Sequence, residues 1–165
     1  MPIQRQFFVK ICEIIYNLSG KSFNLTIKIS TLISIIEFIE ILHKLKSNLH
    51  ISMEAGLIKF SQVGVKSPFF IEDYLGHAFV HPYTISTVAC SIFIFLKKLN
   101  SFKDCIFELA TAGGDSDTVG AIGGALAGAY FGLKNIPNDL MKLVKNYKKI
   151  LKISEELYKR FELRY

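Results

Sequence analysis

The stretch from Ala110 to Gly132, "ATAGGDSDTVGAIGGALAGAYFG", limits what this chain can fold into more than any other. Gly120, Gly124, Gly128 and Gly132 recur every fourth residue, with Ala121, Ala125 and Ala129 beside them. On a helix, positions four apart share a face. A glycine inside a helix costs up to about 1 kcal/mol relative to alanine, so several in one helix need compensation. Close approach of another backbone supplies it. The ladder therefore predicts a central, tightly packed helix, with Gly120, Gly124 and Gly128 turned toward a neighbour at short range.

Helical periodicity extends through most of the chain. Phe7, Phe8, Ile11, Ile14, Ile15 and Leu18 recur at helical spacing, and Gly20 supplies a stop. A second helix is expected over Thr31 to Lys46. Its polar positions Ser34, Glu37 and Glu40 form a narrow stripe, which predicts burial of most of its circumference. A weaker helix follows over Met53 to Gln62. Gly64, Pro68, Gly76 and Pro82 punctuate residues 63–83, which read as a loop. "TISTVACSIFIFLKKL" resumes as a buried helix. In "SFKDCIFELATA", Ser101 stands as N-cap and Asp104 at the third helical position. Pro137 falls near a helix start, and a last helix is expected over Ile153 to Arg160. The fold class is all-α: one compact helical domain spanning residues 1–165 around the glycine-rich helix.

With 165 residues, half of them hydrophobic, the chain can bury a core. Its three cysteines, Cys12, Cys90 and Cys105, show neither zinc nor disulfide spacing, so a reducing, cytoplasmic setting is expected. The net charge is +6, but the densest basic run, Met141 to Lys152, spaces its lysines around Leu143, Val144, Ile150 and Leu151. That reads as the solvated face of a helix. Nothing interleaves aromatic and basic residues, so nucleic acid is not an expected partner. A membrane is not expected either. The apolar stretches carry Glu37 and Glu40 or fall short of the roughly 20 residues a span requires. The N-terminal segment has Lys10 and Glu13 where a signal peptide needs an apolar run.

Asp115 and Asp117 stand at the entrance to the glycine-rich helix, with Gly113 and Gly114 before them and Thr118 after. The glycines permit a sharp turn. Two readings of the acids stand side by side. Aspartates at an N-cap and in a first turn satisfy orphan N–H groups and suit the helix dipole. Two carboxylates and a hydroxyl within four residues also offer the oxygens a hard cation requires. An EF-hand register fails at Val119 and Leu126, and the Gly-Lys-Ser/Thr of a P-loop is absent. His77 and His81 are four apart, which on a helix would make a metal pair, but Gly76 and Pro82 place them in a loop.

The run "GGDSDTVGAIGGALAGAYFGLKNIP" resembles the C-terminal signature of the ADP-ribosylglycohydrolase family, and the upstream "GHAFVHPYTISTVACSIFIFLKKLNSFKDCIFELATA" is similar to that family's loop and two following helices. The order of elements fits from about residue 30 to 145. The resemblance implies an all-α fold, a site with two Mg²⁺ ions, and Asp115, Asp117 and Thr118 as metal ligands. It places Gly113, Gly114, His77 and His81 near the substrate. It implies hydrolysis of ADP-ribose from a modified protein side chain or a small molecule, with no residue singled out as general acid or base. The family's N-terminal half carries a second cluster, Thr/Ser-Asp-Asp, and no Asp-Asp pair occurs here. The chain thus resembles the C-terminal half alone. The alternative is a catalytically impaired relative that binds ADP-ribose or metal, or that pairs with a partner chain or a second copy supplying the missing half.

Overall fold

The structure is a computed structural model that describes residues 29–65 and 79–162. The helix expected over Phe7 to Leu18 lies outside the described residues. Among those described are seven α-helices, a 3-10 turn and no strand: α1 (Ile29–Ser47), α2 (Met53–Phe60), α3 (Thr84–Lys97), α4 (Phe102–Ala110), α5 (Ser116–Phe131), the 3-10 turn Leu133–Asn135, α6 (Asn138–Leu143) and α7 (Tyr147–Glu162). None of these helices is long and apolar enough to cross a membrane.

The most enclosed helix is α3, whose residues from Ala89 to Leu96 are all buried. Its sequence, "TISTVACSIFIFLK", has no charge before Lys97, so every face can pack. Helices α1, α2, α4 and α5 surround it. Phe93 meets Phe60 of α2 with ring centroids 5.4 Å apart. A Cβ on Gly56 would collide with the Phe93 ring, so that glycine lets α2 close on α3. At the far end of α3, Lys97 donates to the Leu49 and Ile51 carbonyls at 3.1 and 2.8 Å, tying off the α1–α2 connection.

The glycine-rich helix is α5, packed against α3 and α4, but the ladder is not its contact face. A Cβ at Gly120 or Gly128 would meet nothing within 4 Å, and at Gly124 only Ile106 Cδ1 at 3.6 Å, an ordinary contact. The buried stripe is Val119, Gly123 and Ala127. Gly123 is the close approach, since a Cβ there would collide with the Leu109 side chain of α4. The ladder expectation is therefore displaced by one residue. Small residues surround this helix on every side, so their spacing marks two candidate faces, and only the position of α4 selects between them.

Two other expectations change. Among the described side chains of α1, burial is confined to Ile41, Leu42 and Leu45, while Glu37, Ile39, His43 and Lys46 are exposed. Among the described elements its main contact is with α3, so one face suffices there. The basic run Met141 to Lys152 is not one helix. It breaks between Leu143 and Tyr147, where Asn146 takes φ 61°, and α7 starts at Tyr147, ahead of the expected Ile153. Leu143 is 80% exposed and Val144 51%, so these two apolar residues between the lysines are not covered by the described residues.

Ser101 caps α4 as the sequence predicts, accepting from the Asp104 N–H at 3.2 Å.

Candidate functional site

The Gly-Gly turn is formed as its sequence requires. Gly113 and Gly114 have φ of 77° and 61°, in the left-handed region where a side chain is strained. Gly114 is also pressed against residues 79–81. It forms an isolated parallel bridge with Val80, the Asp115 N–H donates to the Val80 carbonyl at 3.0 Å, and a Cβ on Gly114 would come within 2.7 Å of the Val80 nitrogen. Val80 is fully buried. The turn is thereby locked to the segment that leads into α3, and the start of α5 sits over the start of α3.

Asp115 occupies the N-cap of α5, where the Thr118 N–H helps to hold its charge without reaching full capping geometry. Its main bonds come from hydroxyls. Thr118 donates to Oδ1 at 2.7 Å and Thr87 donates to Oδ2 at 3.1 Å. Burial alone would push the Asp115 pKa up; hydrogen bonds from the Thr118 hydroxyl, the Thr87 hydroxyl and the Thr118 N–H outweigh it and hold the carboxyl below its ordinary value. Asp117 lies in the first turn, exposed, with Oδ1 accepting the Thr118 N–H at 2.9 Å. Asp115, Asp117 and Thr118 therefore form one cluster of oxygens at the solvent edge.

Thr87 is the residue the sequence reading missed. It is 2% exposed, on the first turn of α3, and 28 positions from Asp115. A threonine in an apolar helix start carries no signal of its own, since such a hydroxyl commonly bonds back to the preceding turn. This one also lies within 3.1 Å of the Tyr83 carbonyl. Ser91, one turn on, donates to the Thr87 carbonyl at 2.7 Å and lies 3.3 Å from the Val119 carbonyl, pinning α3 to α5 just beneath the site.

Of the two histidines, His77 lies outside the described residues. His81 lies outside any helix, so the two do not form a helical pair. Its N–H donates to the Ser61 carbonyl at 2.9 Å. As the neighbour of Val80, it is carried to the same side of the molecule as the Gly-Gly turn.

The donors fit a hard divalent cation in kind: two carboxylates and two hydroxyls, with no sulfur or nitrogen among them. The positive end of the α5 dipole opposes a cation, and the two carboxylates oppose that dipole. Mg²⁺ takes six oxygens, of which this cluster supplies part. Among the described residues no group of three or more His, Cys, Asp or Glu side chains converges here.

Comparison with known proteins adds to this geometry. Residues 33–165 match the family described as ADP-ribosylglycohydrolase. Over 71 residues the chain is 37% identical to the ADP-ribosyl-(dinitrogen reductase) glycohydrolase of Rhodospirillum rubrum, a stretch covering 42% of this chain and 23% of that protein. It is 29% identical over 63 residues to ADP-ribosylhydrolase ARH3 of Bos taurus and of Homo sapiens, covering 38% of this chain and 17% of each relative. The chain thus matches less than a quarter of the length of these curated relatives. No solved structure matches it.

Proposed function

The chain belongs to the ADP-ribosylglycohydrolase family, and on that premise we propose that it acts in the hydrolysis of ADP-ribose from a modified side chain, with Asp115, Asp117 and Thr118 as oxygen ligands of Mg²⁺. One observation carries the reading: the two oxygens of the Asp115 carboxylate are held by separate hydroxyls, Thr118 on one and the buried Thr87 on the other, beside the exposed Asp117. A residue kept only to end a helix has no need of a buried hydroxyl 28 positions away to fix its second oxygen.

Each residue has a part. Asp115 and Asp117 bring the negative charge, and Thr118 sets one Asp115 oxygen while offering its own. Thr87 fixes the other Asp115 oxygen from within the fold. Gly113 and Gly114, without side chains, leave the carboxylates open to a sugar. When bound, the divalent ions supply charge that positions ribose hydroxyls and polarises a water. Carboxylates beside an anomeric carbon suit the oxocarbenium-like transition state of glycoside cleavage. The substrate class is an ADP-ribosylated protein or small molecule, with His81 and His77 on the adjoining segment as candidate substrate contacts.

The partial donor set favours a second reading, in which the chain holds one half of the site and a partner chain or a second copy supplies the rest. One experiment addresses both. Mg²⁺ is titrated into wild type and Asp115→Asn, with and without ADP-ribose, following the melting temperature, since a ligand bound only to the folded form raises it. Release of ADP-ribose from an ADP-ribosylated peptide is measured in parallel. Mg²⁺ should stabilise the wild type with an affinity of roughly millimolar, as for a poorly enclosed site, and should leave Asp115→Asn unmoved. Turnover by the chain alone supports the first reading, and stabilisation without turnover supports the second. A wild type indifferent to Mg²⁺ even with ADP-ribose present would sink both.

A further inference from the structure

Among the described residues four polar side chains are buried, Ser61, Ser86, Thr87 and Ser91, and the last three stand toward the start of α3. A buried hydroxyl is tolerated in an apolar helix only where its bonds are made. Ser86 meets that need locally, 3.0 Å from the Tyr83 carbonyl just before it. Ser91 does more. Its hydroxyl lies 2.7 Å from the Thr87 carbonyl, the ordinary back-bond of a serine in a helix, and 3.3 Å from the Val119 carbonyl on α5. Thr87, one turn earlier, crosses to the same helix and donates to Asp115 at 3.1 Å. Two hydroxyls four positions apart on α3 thus face two acceptors four positions apart on α5, and each crossing spans 28 residues. The helices run side by side in the same direction here, joined by two rungs about 6 Å apart.

Two rungs fix what one cannot. A helix held at a single point can tilt or slide about it, and a second point one turn away opposes both. The contact between Gly114 and Val80 holds the head of α5, but Val80 lies before α3 and does not set how far α3 reaches along α5. The upper rung is sensitive to that reach. An O–H···O bond of 3.1 Å is already long, and a further shift of about 0.5 Å ends it. The lower rung is sealed, since Ser91 and Val119 are both fully buried. We propose that Ser91 is a positioning residue for the Asp115 carboxylate: by setting the register of α3 on α5, it holds the Thr87 hydroxyl on Asp115 Oδ2. Its effect on a cation rests on the reading of Asp115 as an oxygen ligand of Mg²⁺; the register itself does not.

The full chain is compared as wild type, Ser91→Ala, Thr87→Val and the double variant. Ser91→Ala should keep the helix and its circular dichroism, because alanine is the better helix former and fits the space. The first readout contains no metal. It is the NMR signal of the Thr87 hydroxyl proton, which exchanges slowly with water while buried and bonded to the carboxylate. In Ser91→Ala that exchange should quicken about tenfold or more, as the local opening that exposes the proton becomes easier. The second readout is Mg²⁺ affinity, taken from the rise in melting temperature. Ser91→Ala should weaken it about threefold to tenfold. The double variant should lose no more than Thr87→Val alone, since a residue that acts through another is not additive with it. Ile94→Val, fully buried further along α3, trims the core by a methyl group and should move neither readout. If the wild type ignores Mg²⁺, the metal reading falls and the hydroxyl readout still decides the register. An unmoved Thr87 hydroxyl in Ser91→Ala, additive losses in the double variant, or an Ile94→Val that moves the hydroxyl as far as Ser91→Ala does would each overturn the proposal.

Discussion

Thr87 has one hydroxyl proton and three oxygens near it: the carboxylate of Asp115 at 3.1 Å and the carbonyls of Tyr83 and His81 at 3.1 and 3.3 Å. The ionised acceptor makes the strongest bond of the three, so Asp115 is where the proton is best used. Replacing Thr87 by Val keeps the shape and removes the donor. The variant should lose about 1 kcal/mol of stability in urea unfolding, and Asp115, followed by carboxyl NMR, should titrate at higher pH than in wild type. Thr87→Ser should restore both. A Val variant with an unmoved Asp115 titration would mean that the hydroxyl serves only the Tyr83 carbonyl. This residue was illegible in the sequence because its role depends on a partner brought close by the Gly114–Val80 contact and not by chain proximity. Asp115, Asp117 and Thr118 were legible because three oxygen-bearing residues within four positions stay together in any fold.

At the scale of the helix, α5 separates two faces of small residues with different duties. Gly123 is pressed on Leu109, and Gly120 and Gly128 have open space where a Cβ would point. Gly123→Leu should destabilise by about 1–3 kcal/mol through overpacking. Gly120→Ala and Gly128→Ala should stabilise by roughly 0.5–1 kcal/mol each, the helix-propensity difference with no packing cost. Thermal melts of the three variants decide the matter, and a destabilised Gly128→Ala would show that the ladder does meet a neighbour. The sequence made the helix itself plain; that Gly132, the last rung of the ladder, ends it at φ 73° came from the structure. The face was not plain, because a helix made almost wholly of Gly and Ala has little amphipathic contrast to mark the side that packs.

For the whole molecule, α3 is the element on which the rest depends, and its Cys90 reports on it. Burial pushes the Cys90 thiol up to about 12 from its ordinary 9.0. Burial likewise raises Cys105 to about 11, partly offset by the Lys98 charge. Both groups bind their protons more tightly folded than unfolded. Their contribution to stability is therefore complete below pH 9 and is lost as pH rises from 9 through the folded values. In a Cys12→Ser background, urea stability should fall across that window, and a thiol reagent at pH 8 should label Cys90 only as fast as the molecule opens globally. Rapid labelling of Cys90 in the native state would show that α3 is not the enclosed centre.

The sequence by itself determined most of the helices, the Ser101 cap, the Gly-Gly turn and the oxygen cluster after it, because each depends on residues within a few positions of one another. Ser101 capping Asp104 and the left-handed Gly113 and Gly114 could be read without knowing what surrounds them. Tertiary structure decided which side of α5 is buried, that Thr87 reaches Asp115, and that Leu143 and Ile150 lie open beside a row of lysines. Those depend on where α4, residues 79–81 and the Asn146 break place one element against another. Local propensity constrains that placement only weakly; the packing of side chains far apart in the chain fixes it.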